Sequence, residues 1–236
     1  MLDGAEPSVM AFDGDGTLWS GDVGEDFMHA ALSRGEVREA ATRALARIAG
    51  RDGPGLELAR HLFEEYLEHR FPEDSICELI AWLHAGFSRA EVAAIVVEVL
   101  TAAGIHNRVH PEARAILDWA RARGHEVFVV SASPQHVVEH AATMLDVDAA
   151  HVLAVRPHFD GEVMVADVER PIPYGPGKVA ALEKVLRGRP LLAAFGDNAF
   201  DVPMLARARF GVGIRPKQRL RDAAVGHPFY ELEPAP

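Results

Sequence analysis

The chain has 236 residues, 49% of them hydrophobic and 25% charged, with a formal net charge of -11 and a single cysteine, Cys77. That length can bury a sizeable core and carry one domain inserted into another, and the apolar runs are too short for a membrane span. The acidic balance excludes nucleic acid and acidic membrane surfaces, which bind through clustered Lys and Arg, and one cysteine excludes an intrachain disulfide or a multi-cysteine metal site.

Residues 1–6 lack the basic and apolar stretches of a secretory leader, so together with the lone cysteine they point to the cytoplasm. Ser8-Val9-Met10-Ala11-Phe12 predicts a buried strand that runs into the loop Asp13-Gly14-Asp15-Gly16-Thr17. From Glu25 to about Gly104 the pattern turns helical. Ile76, Leu79, Ile80 and Leu83 are spaced at i, i+3, i+4 and i+7, and Val92, Val96, Val99 and Leu100 repeat an apolar stripe. Breaks at Gly53-Pro54-Gly55, Phe71-Pro72 and Gly86 divide this helical insert.

Beyond about His110 helices and short apolar strands alternate. The spacing predicts a helix over 111–123, a strand over 127–130, a helix from Pro134, a strand over 152–155, a helix from Gly177 and a strand over 191–195. Residues 161–165 predict a small hairpin arm beside the sheet edge. The alternation implies an α/β fold, a doubly wound, Rossmann-like parallel sheet with an inserted helical block. Ligands bind such sheets beyond the carboxyl ends of the strands. Asp13, Ser131 and Asp197 fall at three of those ends.

Asp13 and Asp15 sit two apart in a loop whose glycines allow tight turns and close ligand approach. An EF-hand is excluded, because counting from Asp13 its sixth position is Leu18 and its twelfth is Gly24. A plain Asp-Gly turn accounts for the loop but not for the polar residues at the other strand ends. With a net charge that repels phosphate, a phosphate site here must bring its own cations: a metal, a lysine or helix N-termini. His136-Val137-Val138-Glu139-His140 spells a short zinc-peptidase pattern, but its helix directly follows Ser131 and its histidines read as surface or interface residues. Cys77 reads as a packed edge of its helix, and Trp82 and Phe87 as packing within the helical block.

Four motifs occur in a telling order: Asp13-Gly14-Asp15-Gly16-Thr17-Leu18, Ser131 after Val-Val, Lys178, and Gly196-Asp197-Asn198-Ala199-Phe200-Asp201. In this the chain resembles the haloacid dehalogenase superfamily, in its phosphoserine-phosphatase-like branch of aspartate-nucleophile phosphatases, over nearly its whole length. The resemblance implies a catalytic core over 1–21 and 109–236 with a helical cap over 22–108. It implies Mg2+-dependent hydrolysis of a small-molecule phosphomonoester through an aspartyl-phosphate. Asp13 is then the nucleophile, Asp15 the general acid and base, and Lys178 the cation that pairs with Asp13 and the phosphoryl group. Mg2+ would be held by Asp13, by Asp15 through its main-chain carbonyl and by Asp197, a hard-oxygen set that suits magnesium better than zinc. Thr17 and Ser131 would donate to phosphoryl oxygens, with Asp201 and Asn198 behind them in a supporting shell.

The chain also departs from the branch. Phe200 stands where its members typically have asparagine, Ser131-Ala132-Ser133 replaces Ser-Gly-Gly, no counterpart of their cap arginine motif is present, and Asp22 stands where they carry glutamate. Asp22 and Glu25 either meet an amine on the substrate or stabilise the first turn of a helix. Two other readings share the fold: phosphoryl transfer to an alcohol acceptor, and a catalytically silent phosphometabolite-binding protein.

Overall fold

The structure is a computed structural model and describes residues 8–234; residues 1–6, read above for a leader, lie outside the described residues. Strand β1 (Val9–Phe12) is apolar throughout and buried on both faces. There follow helices α1 (Val23–Arg34), α2 (Glu39–Ala49), α3 (Gly55–Leu67), α4 (Glu73–Trp82) and α5 (Arg89–Ala102), with no strand among them. The chain returns through α6 (Pro111–Ala122), β2 (Glu126–Pro134), α7 (Gln135–Thr143) and β3 (Val152–Val155) to a hairpin, β4 (Pro157–Asp160) and β5 (Val163–Val168). It closes with α8 (Pro176–Leu186), β6 (Leu191–Gly196), α9 (Val202–Arg207), β7 (Phe210–Ile214), α10 (Gln218–Ala223) and β8 (Tyr230–Leu232).

The main sheet runs in the order β3-β2-β1-β6-β7-β8, and each neighbouring pair is parallel. β1 is therefore central, with β2 on one side and β6 on the other. That reversal of strand order is where a doubly wound sheet opens a crevice at its carboxyl edge. The expected parallel α/β sheet is present. The hairpin arm is also present, but it joins the helical block: Gly86 N donates to Met164 O at 2.8 Å and Met164 N to Phe87 O at 2.9 Å.

Local signals set the helix boundaries. Asp22 caps α1 by accepting from Glu25 N at 2.9 Å, and Gly35 ends it at φ +71. Ser88 and Glu91 form a reciprocal capping box on α5. The two connections between sheet and helical block are stitched together, because Ser20 N donates to Arg108 O and His110 N to Leu18 O, both at 2.9 Å. One apolar cluster runs from Met10 and Phe12 through Trp19 and Phe27 to Leu62, Leu79 and Leu100, so the helical block shares its core with the sheet.

Within that seam the Phe27 ring lies 4.6 Å from the His84 ring and 5.3 Å from the His136 ring. Both nitrogens of His136 and Nδ1 of His84 are buried without a hydrogen-bond partner. Burial, with Arg34 and Arg38 nearby, pushes His84 down to about 4, and burial, with His84 beside it, pushes His136 down to about 3. The unfolded chain binds these protons near pH 6.5 while the folded chain rejects them. The stability they permit is thus complete above that pH and is lost as pH falls toward about 4 for His84 and about 3 for His136. Each histidine steepens the loss by at most about 1.4 kcal/mol per pH unit. Chemical unfolding at stepped pH should show this slope, and His136→Phe should flatten it; an unchanged slope would remove His136 from the account.

Candidate functional site

The carboxyl edge of the sheet carries the polar residues. Asp13 leaves β1 with its amide still donating to Phe195 O at 2.9 Å, which pins it between β1 and β6. The loop turns at once, with Leu18 N donating to Gly14 O at 2.8 Å. Gly16 has φ +82, and a Cβ there would lie 2.2 Å from Asp197 Oδ2, so only glycine lets the two loops approach this closely. Lys178 comes from the first turn of α8 and is fully buried. Its ammonium donates to Asp13 Oδ1 at 2.5 Å, Asp201 Oδ1 at 2.6 Å and Val130 O at 3.1 Å. Asp201 Oδ2 in turn accepts from the amides of Asp197 and Asn198, each at 3.0 Å, and so fixes the loop after β6.

Among the described residues, one group of side chains comes together as a possible metal site: Asp13, Asp197 and Asp201, all buried, with ligand oxygens within 4.8 Å of one another. Burial first, and then Asp201 and Asp197, push Asp13 well above the ordinary carboxylate range despite Lys178. Burial and Asp201 likewise raise Asp197 to about 6. Burial opposes the charge of Lys178, yet Asp13 and Asp201 hold its pKa above the ordinary value, so it stays cationic. Asp197 Oδ2 is buried without an aligned hydrogen bond, and Lys217 Nζ lies beside it at 2.8 Å as an ion pair. A crowd of hard oxygens short of positive charge fits a divalent cation such as Mg2+. The zinc-like stretch does not assemble, since Glu139 accepts from Gln135 Nε2 at 2.6 Å and the His136 nitrogens face the seam.

The other expected residues surround this group. Thr17 Oγ1 points to Asp13 Oδ2 at 3.3 Å and is fully buried. Asp15 Oδ1 accepts from Trp19 Nε1 at 2.8 Å and Val23 N at 2.7 Å, and its Oδ2 accepts from Ser133 Oγ at 2.7 Å and more distantly from Ser131 Oγ at 3.5 Å. Asn198 Oδ1 accepts from Ala199 N at 2.8 Å. A cavity of about 450 Å3 opens above, and Asp13, Asp15, Ser131 and Asn198 all reach its wall.

Its far side is built by the helical block and includes Asp22, Glu25, Tyr66, Ile76, Cys77 and Ile80. Asp22 caps α1 and also lines the cavity, and burial with Asp15 nearby raises its pKa well above the usual range. Glu25 accepts from Tyr66 Oη at 3.1 Å. Cys77 lines the cavity rather than merely edging its helix, and burial pushes its thiol up, which makes it a poor nucleophile. Trp82 and Phe87 are buried away from the cavity.

Sequence reasoning missed Trp19 and Ser133, which hold Asp15, and Tyr174, Lys217 and Arg219 in the cavity wall. The signal for Lys217 was its place just after a strand, at Ile214-Arg215-Pro216-Lys217, but that strand itself was not predicted.

Comparisons with known proteins bear on the family and the fold. Over 130 residues the chain is 33% identical to phosphoserine phosphatase SerB2 of Mycobacterium tuberculosis, a stretch that covers 51% of this chain and 31% of that protein. The matched stretch is thus under a third of that relative's length. A Bordetella pertussis Tohama I protein of unknown function superposes with a TM-score of 0.74 at 23% identity, covering 97% of this chain and 99% of that one. A substrate-bound phosphoserine phosphatase superposes with a TM-score of 0.59 at 19% identity, covering 93% and 91%. At such identities these two structures show a shared fold. Residues 10–206, from β1 through the loop after β6 and into α9, match the haloacid dehalogenase-like hydrolase family, and the chain belongs to it.

Proposed function

We propose that the chain is a phosphatase that hydrolyses a small phosphomonoester with Asp13 as covalent nucleophile and Mg2+ as cofactor. The observation that carries this reading is the placement of Asp13 at the end of the central strand, gripped by Lys178 and open to a cavity that Asp15 also lines. Lys178 holds Oδ1 of Asp13, and the amides of Asp197 and Asn198 hold Asp201 beside it; Oδ2, which Thr17 Oγ1 approaches at 3.3 Å, is the oxygen that attacks. A bound divalent cation would supply the positive charge that lets a carboxylate approach a phosphate dianion. Asp15 faces the same cavity and gives a proton to the departing alcohol, then takes one from the water that frees Asp13. Trp19, Val23 N and Ser133 fix its orientation.

On this reading residues 22–108 act as a cap that walls the far side of the cavity and excludes water, with residues 1–21 and 109–236 as the core. The lone cysteine supports a cytoplasmic setting, and no helix among the described residues is long and apolar enough to cross a membrane. A panel of phosphomonoesters assayed for phosphate release with Mg2+, with EDTA and with an added alcohol acceptor tests the reading. Release that EDTA stops and the acceptor leaves undiminished is the expected result, whereas release on no ester would overturn it.

Asp22 and Glu25 favour an ester that carries an amine, because both carboxylates line the cavity and Asp22 lies near enough to Asp15 for the two to repel. Asn caps a helix about as well as Asp, so Asp22→Asn should keep α1 intact. It should raise KM for phosphoserine, phosphoethanolamine or phosphocholine by roughly tenfold and leave a neutral aryl phosphate almost unchanged. Equal effects on both kinds of substrate would assign Asp22 to helix capping alone.

A further inference from the structure

An ammonium group has three N–H donors, and those of Lys178 are already directed at Asp13, Asp201 and Val130 O. Its side chain is fully buried and does not reach the cavity wall. Besides a bound divalent cation, the charged donors a phosphate dianion can meet on entering are therefore those of the cavity wall. Among the described residues the wall offers two, Lys217 and Arg219. Arg219 is held at 2.8 Å by Glu73 of the helical block.

Lys217 is placed differently. Its amide donates to Asp197 O at 2.8 Å, which fixes the main chain beside the acidic group, while its side chain is 54% exposed. Its ammonium contacts Asp197 Oδ2 without an aligned hydrogen bond, a contact that a competing cation can take over. Burial opposes its charge, but Asp197 keeps its pKa above the ordinary lysine value. Phe200 lines the same cavity, and its ring lies 5.1 Å from Lys178 Nζ. A phenyl ring has no hydrogen-bond donor to offer a phosphate, so Phe200 contributes none, while Lys217 lines the same cavity.

We propose that Lys217 is a phosphate-binding residue of the cavity, whose ammonium leaves Asp197 for the phosphoryl oxygens when a divalent cation takes its place at that carboxylate. This rests on the phosphatase reading above. It gives Lys217 two effects of opposite sign: it competes with the cation in the free protein and strengthens the hold on phosphate in the loaded one.

Calorimetry on the wild type, Lys217→Met and Lys217→Arg tests this, first with Mg2+ alone and then with inorganic phosphate at saturating Mg2+. In Lys217→Met, Mg2+ should bind more tightly by roughly two- to fivefold, the worth of a half-exposed ion pair. Phosphate should bind more weakly by roughly tenfold to a hundredfold, and Lys217→Arg should keep most of its phosphate affinity. If the wild type hydrolyses esters and binds phosphate but Lys217→Met matches it in both titrations, the inference is overturned and the phosphatase reading stands. A wild type that binds no phosphate and hydrolyses no ester overturns both.

Discussion

Asp13→Asn should abolish turnover, lowering kcat by on the order of 10^4-fold or more, while leaving the fold intact. The amide keeps the shape of the side chain but is no nucleophile toward phosphorus. The stability side of the expectation follows from the electrostatics. Asp13 is buried beside Asp197 and Asp201, and burial first, then these carboxylates, push it toward its neutral form. A neutral isostere relieves that repulsion, and Lys178 keeps Asp201 as its partner at 2.6 Å. Melting temperature should therefore change by only a few degrees while activity vanishes, and steady-state assays beside thermal unfolding check both. Loss of fold together with activity would make Asp13 a structural residue.

Lys178→Met should fail in both respects. Its ammonium is fully buried and is the cation that both Asp13 and Asp201 touch. Removing it leaves two buried carboxylates facing each other, at a cost of about 3–5 kcal/mol. Activity should fall by about a thousandfold or more, because Asp13 loses the group that holds it and Asp201 loses an anchor for the loop carrying Asp197. Denaturant midpoints and kcat/KM measured on the same preparation decide the matter. A variant as stable as the parent would show that the buried triad is not the keystone of this edge.

The contrast between what was legible in the sequence and what was not has physical causes. β1, β2 and β6 are buried strands of short apolar runs, so the sequence showed them and placed Asp13 and Asp197 directly after β1 and β6, whereas β2 runs on to Pro134 and Ser131 lies within it instead of ending it at 130. The helical block was legible because its stripes repeat at helical spacing. β7 was not legible, because glycines alternate with the apolar residues in Phe210-Gly211-Val212-Gly213-Ile214 and weaken the strand signal. Its glycines answer to packing: a Cβ at Gly211 would lie 3.0 Å from Leu205 O, and one at Gly213 would lie 2.7 Å from the Phe229 ring. With β7 unseen, Lys217 and Arg219 beyond it were unseen as well. Trp19 and Ser133 escaped for another reason. Each acts by a single hydrogen bond to Asp15, Trp19 from the same loop and Ser133 from β2, 118 residues further along the chain, and only the folded chain aims these side chains at one carboxylate.

Covalent transfer to Asp13 is tested most directly by the stereochemical course at phosphorus, followed with a phosphorothioate ester made chiral by isotopically labelled oxygens and hydrolysed in labelled water. Attack by Asp13 and then by water gives two in-line displacements, so net retention of configuration is the predicted result. Net inversion would mean that water attacks the ester in a single step, and it would contradict the account.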